Sequence, residues 1–195
     1  MYKRQVDDGF DWALDNALAD NADQFVWDGD GMGANKRQVS TALDGTRCGY
    51  HMFRGSLSGV GQDNAGKVYM PTNDGGETKL YEEEFKNNRA QYYFDLAMRC
   101  ENTYKCVVKG EYIDPDEMIS FDSDGVEDMQ GLRSEICRIP RKHNANNIKQ
   151  ILSKQEMQKL GIDSPNAADG VMMSLWSPPI KKKRKKMPAP KLSVA

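Results

Sequence analysis

The most constraining stretch of this sequence is residues 24–53, where a short apolar run, a glycine-rich turn, a helical segment and a second apolar run follow one another. Gln24-Phe25-Val26-Trp27 reads as a buried strand ending in Asp28, because four residues rich in aromatic and β-branched side chains are bounded by turn formers. Gly29-Asp30-Gly31-Met32-Gly33 then supplies a turn, and residues 35–43 form a helix closed by Asp44-Gly45. Residues 47–53 make a second strand. Two strands joined through a helix define a βαβ unit, and such a unit predicts an α/β sheet.

The remaining elements follow from periodicity and caps. Residues 9–21 predict a helix with Phe10, Leu14, Ala17 and Leu18 on one face. Periodicity fades over residues 55–86, which read as a long flexible loop with room for a hairpin at residues 67–70. Residues 88–104 form a strong helix whose stripe of Ala90, Tyr93, Phe94, Ala97 and Tyr104 reads as core. Residues 135–140 are expected to be a strand. Ser153-Lys154-Gln155-Glu156 is a capping box, and Gly161 stops its helix. Ser164-Pro165 opens a last helix running to Trp176, with Ala168, Val171, Met172 and Leu175 buried.

Charge is divided along the chain. Seven of the 27 basic residues lie in residues 181–195 with no acid among them, leaving 20 basic against 29 acidic side chains before them. The body, residues 1–178, is acidic, and residues 179–195 form a basic tail expected to be disordered. No apolar run is long enough to cross a membrane, and the N-terminal residues lack a signal-peptide core. Cys48, Cys100, Cys106 and Cys137 form no CxxC pair, which points to free thiols rather than a zinc site.

Three motifs bear on chemistry. Asp28 closes a buried strand, the place where open α/β sheets put their ligands, although a solvated turn would give the same residues. The glycines after it do not fit a dinucleotide loop, and the two aspartates would repel a pyrophosphate. Gly61-Gln62-Asp63-Asn64-Ala65-Gly66-Lys67-Val68 misses a P-loop, since valine stands where a hydroxyl must hold magnesium. Asp169, early in the last helix, either stabilises that helix terminus or faces a metal, and the sequence favours the first.

Taken in order, VWDGDGMGA, KNNRAQYYFDLAMRC, KGEYIDPDEMISFD and LSKQEMQKLGIDSPNAADGVMMSLWSP resemble the nuclease domain of phage terminase large subunits. The resemblance spans residues 12–178. It implies an RNase H-like mixed sheet flanked by helices, and a metal-dependent endonuclease module that cuts double-stranded DNA concatemers during packaging. Asp28 and Asp169 match the family's catalytic carboxylates, with Asp30 as an auxiliary ligand, around two Mg²⁺ or Mn²⁺ ions. Lys154 and Arg89 are candidates for contacting the DNA backbone, as are Lys181, Lys182, Lys183, Arg184, Lys185 and Lys186 of the tail. The terminase ATPase part, the small terminase subunit and the portal protein would be partners, and the bacterial cytoplasm the setting.

The chain departs from the family pattern at its start. Few residues precede the first helix, so the family's first strands, with the first catalytic aspartate, are expected to be missing. A prophage remnant, a half of a split gene or a truncated reading would each leave such a module weak or inactive alone. The competing function is a non-catalytic DNA-binding or packaging-accessory protein, whose binding would weaken steeply with salt and ignore divalent metal.

Overall fold

A computed structural model describes residues 2–30, 36–69, 79–142 and 146–176. The basic tail and residues 31–35 therefore lie outside the described residues. The chain runs α1 (Tyr2–Ala19), β1 (Gln24–Asp28), α2 (Lys36–Leu43), β2 (Gly49–Phe53), β3 (Val68–Tyr69), β4 (Lys79–Leu80) and α3 (Tyr81–Glu84). It continues with α4 (Asn88–Lys109), α5 (Met129–Cys137), α6 (Lys154–Lys159) and α7 (Asn166–Ser174).

The βαβ unit forms as expected. β1 and β2 pair in parallel from Gln24 opposite Gly49 to Asp28 opposite Phe53, with α2 in the crossover. Strand alternation then sorts the side chains between two cores. Phe25 and Trp27 of β1, with Tyr50 and Met52 of β2, pack with Leu14 of α1 and with Val39 and Leu43 of α2. Val26 and Phe53 turn to the other side, against Tyr92, Tyr93 and Leu96 of α4 and Met172 of α7. Asp28 shares the parity of Val26, so alternation points it toward α7. Gly29 lets the strand ends close. A Cβ there would collide with Met52 and lie 3.0 Å from the carbonyl oxygen of Phe53, to which the Gly29 amide donates at 2.7 Å.

Among the described residues the sheet is smaller than the expected mixed sheet. Two separate two-stranded ladders are present, the parallel β1–β2 and the antiparallel β3–β4. The second ladder pairs Val68 with Leu80 and Tyr69 with Lys79; it begins where a hairpin is predicted at residues 67–70, and residues 70–78 lie outside the described set. The near P-loop is a structural brace. The Gly66 amide donates to the Glu82 carboxylate, and Asp63 accepts from the Asn88 amide at 2.9 Å and from the Trp176 indole at 2.8 Å.

Three local readings change. Residues 135–140 are not a strand: α5 runs through Cys137, capped by Asp128, whose carboxylate accepts from the Gly131 amide at 2.8 Å. Leu132 and Ile136, one helical turn apart, both reach the core, so helical spacing outweighs the alternation of Glu135-Ile136-Cys137-Arg138-Ile139. Helix α4 continues past Tyr104 to its left-handed cap at Gly110, although Tyr104, Val107 and Val108 are exposed. The acidic run Glu82–Glu84 forms a helical turn rather than open loop.

No described helix is long and apolar enough to cross a membrane. The four cysteines are unpaired.

Glu84 fastens the segment that leads into the site. Its Oε1 lies 2.8 Å from Lys149 Nζ, which also sits 4.7 Å over the ring of Tyr69 and 5.4 Å over that of Phe85. Burial alone would raise the Glu84 carboxyl above its ordinary 4.5, but Lys149 and Lys79 outweigh burial and hold it below. A carboxylate lowered by folding stabilises the protein above its unfolded value, and that stabilisation is lost as pH falls through the folded value. Glu84→Gln should therefore lower stability at neutral pH, and the two proteins should converge in urea melts as pH drops below 4.5.

Candidate metal and nuclease site

Four segments meet at the C-terminal end of β1. Asp28 ends the strand, Arg89 and Tyr93 lie one turn apart on α4, Lys154 opens α6, and Asp169 sits in the first turn of α7. Asp28, Arg89, Lys154 and Asp169, with Asp30, Ser56, Ser153 and Met172, line a cavity of about 410 Å³. The local sequence explains each placement. The Asn87 side chain caps α4 by accepting from the Ala90 amide at 2.9 Å. The predicted capping box starts α6, with Ser153 and Glu156 bonded reciprocally.

Helix α7 begins differently from the expected Ser164 cap. Pro165 stands at the cap position, and the free amide of Ala168 is met by the Glu135 carboxylate of α5 at 2.9 Å. An acid placed there satisfies an unpaired helical N–H and the positive end of the helix dipole.

Asp169 is the most buried charged member, only 7% exposed. Its Oδ1 accepts from Tyr93 Oη at 2.6 Å and from Arg89 Nη2 and Nε at 3.3 and 3.4 Å. Oδ2 is buried and takes none of these hydrogen bonds; among the described residues its partner is the Lys154 ammonium, an ion-pair contact at 2.8 Å. The same ammonium lies 3.9 Å from Asp28 Oδ2. One cation thus bridges the two carboxylates. Burial first, and then the charge of Asp169, push the Tyr93 phenol far up, so it stays a donor.

The structure places five of the sequence-predicted site residues, while Lys181, Lys182, Lys183, Arg184, Lys185 and Lys186 lie outside the described residues. Asp28 and Asp169, 141 positions apart in the chain, come together. Asp169 does more than favour a helix terminus, since three side chains from other elements converge on it. Asp30 is turned aside: its two oxygens take the Ser56 amide and hydroxyl, both at 2.7 Å, while its own amide donates to Asp28 Oδ1 at 2.8 Å. Arg89 and Lys154 point at Asp169 rather than outward, and Arg89 also donates to the Leu152 carbonyl at 3.2 Å. Among the described residues no cluster of three or more metal-ligating side chains forms.

Sequence reasoning placed Tyr93 in the core without its hydroxyl's role, and missed Ser56 and Glu135. The spacing of Arg89 and Tyr93, i and i+4 on one helix face, was the available signal for the first.

Solved structures with this fold share 40–41% of the sequence, and the chain belongs to their family, the nuclease domains of phage large terminase subunits. One is the nuclease domain of the large terminase subunit gp2 of bacterial virus Sf6, at 40% identity and TM-score 0.73, covering 87% of this chain and 71% of that one. A lysine-to-alanine mutant of that domain with manganese and β-thujaplicinol is 41% identical, with TM-score 0.78 and coverage of 88% and 73%. A lysine-to-alanine mutant with calcium is 41% identical, with TM-score 0.73 and coverage of 86% and 71%. No family model matches the sequence, and no curated protein does.

The Glu135 contact makes α7 dependent on α5. Glu135→Ala should cost about 1 kcal/mol, as loss of a helix cap does. Faster hydrogen exchange at the Ala168 amide would accompany it; unchanged exchange would show that α7 does not need this cap.

Proposed function

We propose that this chain is a metal-dependent endonuclease module that cuts double-stranded DNA in viral packaging, with Asp28 and Asp169 as its metal ligands. The observation that carries the reading is the convergence of both Oδ2 atoms on the Lys154 ammonium. A place that holds one cation between two carboxylates suits a divalent ion, and hard divalent cations prefer carboxylate oxygen. Oδ2 of Asp169, buried and partnered by the Lys154 ammonium, fits the same assignment. Mg²⁺ or Mn²⁺ bound there would polarise a water and offset charge on an attacked phosphodiester.

The chain's own residues have divided tasks. Asp28, 42% exposed at its side chain, lines the open cavity, where DNA would enter. Asp30 holds Asp28 through its amide and serves as an outer-shell residue, since Ser56 occupies both its oxygens. Lys154 occupies the cation's place and must withdraw when metal enters, after which its ammonium is free to meet a DNA phosphate. Arg89 holds Asp169 Oδ1 through two hydrogen bonds, and the tail lysines would add salt-dependent attraction for DNA.

Two carboxylates are few for two ions. Both Asp30 oxygens are taken by Ser56, so the described residues group no third carboxylate with Asp28 and Asp169, and among them β1 is laddered to β2 on one edge with no strand on the other. A strand docked on that free edge would lie beside Asp28 and could deliver the missing carboxylate. On this reading the chain alone binds one ion and cuts weakly, and the ATPase part, small subunit and portal act on the completed motor.

Calorimetric titration with Mn²⁺ and plasmid nicking test the assignment together. Loss of an outer-shell partner costs about 10–100-fold in affinity or activity, so Asp28→Asn or Asp169→Asn should cost more than that. Variants that bind Mn²⁺ and nick like the parent would sink the proposal. Lys154→Ala gives a second check. A half-exposed ion pair is worth about 1 kcal/mol, so removing the competing ammonium should tighten Mn²⁺ binding by roughly fivefold. Weaker binding would mean that Lys154 assists the metal.

A further inference from the structure

The donors around Asp169 are distributed unevenly between its two oxygens. Tyr93 and Arg89 give all three hydrogen bonds to Oδ1, and none reaches Oδ2. Such a pattern has a consequence for any cation in the cavity. An aspartate turns easily about its last torsion, whose energy profile is broad. Left alone, it could offer a cation either oxygen or both. A short O–H···O⁻ bond to a charged acceptor is among the stronger hydrogen bonds and carries a strict direction. At 2.6 Å the Tyr93 bond is of this kind.

We propose that Tyr93 is a positioning residue for the metal site, fixing Asp169 so that Oδ2 alone faces the cation. The inference rests on the metal-site reading above and names a residue that reading does not use.

Tyr93 is suited to the task because its ring is packed in the core while its hydroxyl reaches Asp169. Its ring is buried beside Leu96 and Met172 in the larger core. The Arg89 guanidinium lies 5.2 Å over the ring while also bonding Oδ1, so phenol, guanidinium and carboxylate brace one another. Both donors come from successive turns of α4, a 22-residue helix, whereas Asp169 sits on the nine-residue α7. The longer element therefore sets the orientation of the shorter one's ligand. Ligand carboxylates held by outer-shell hydrogen bonds bind metal more tightly than free ones, typically by about 10–100-fold.

Tyr92 provides a matched control. It is as buried as Tyr93 and one residue away, but its hydroxyl bonds Asp63 and not Asp169. Mn²⁺ binding would be measured for the full chain, Tyr93→Phe and Tyr92→Phe by calorimetry and by electron paramagnetic resonance, with a thermal melt of each. Tyr93→Phe should weaken Mn²⁺ binding by roughly tenfold and change the resonance line shape of the bound ion, while Tyr92→Phe leaves both unaltered. Binding by Tyr93→Phe within about twofold of the parent, or equal losses in the two variants, overturns the positioning role. A parent chain that binds no Mn²⁺ overturns the metal-site reading instead, and the inference with it.

Discussion

A buried carboxylate organises this molecule. Taking an ionised aspartate out of water costs several kcal/mol unless charges and hydrogen bonds replace the lost hydration. For Asp169 the replacements come from Arg89 and Tyr93 of α4 and from Lys154 of α6. Three helices are therefore held in register by one side chain of α7. Any rearrangement that separated them would strand a charge in the core. The same donors leave Oδ2 facing the cavity, so one set of bonds supplies both the stability of the helix junction and the chemistry of the opening.

The parallel ladder supplies the other half of the site. Alternation along β1 turns Val26 and Asp28 toward α7, and Trp27 toward α1 and α2. Gly29 then allows the chain to leave the strand against Met52 and Phe53, where a side chain would not fit. Asp30 and Ser56 tie the two strand exits together. Strand and helix thus reach the cavity independently. Lys154 holds them together with a single ammonium, at 2.8 Å from one carboxylate and 3.9 Å from the other. That geometry is common to a structural ion pair and to a cation site, and the 40–41% identity with terminase nuclease domains gives it a functional frame.

Much of this was legible in the sequence where the signal is local. The βαβ unit, the strand ending at Asp28, the capping box at Ser153 and the buried stripe of α7 all depend on residues within a turn or two of each other. Errors arose where local patterns compete. Glu135-Ile136-Cys137-Arg138-Ile139 alternates like a strand, yet Leu132 and Ile136 fit a helix when Asp128 caps it. Helix α4 outran its apolar stripe because a helix needs only a compatible backbone and a cap to continue, and Gly110 provides the cap. Ser164-Pro165 looked sufficient to start α7, but the acid that meets its free amide lies 33 residues upstream.

By itself the sequence determined the residue types and the local geometry: carboxylates at a strand end and in a helix's first turn, basic residues at the starts of two other helices, and the periodicity that orients each element. Short-range sterics, capping and alternation act within a few residues, so they can be read in order along the chain. Only the tertiary structure decided which donors meet Asp169, that Asp30 serves Ser56, and that one lysine joins Asp28 to Asp169. Those choices depend on contacts between residues 76 to 80 positions apart for Asp169 and α4. They are fixed by how the two cores pack on the ladder, which no local pattern encodes.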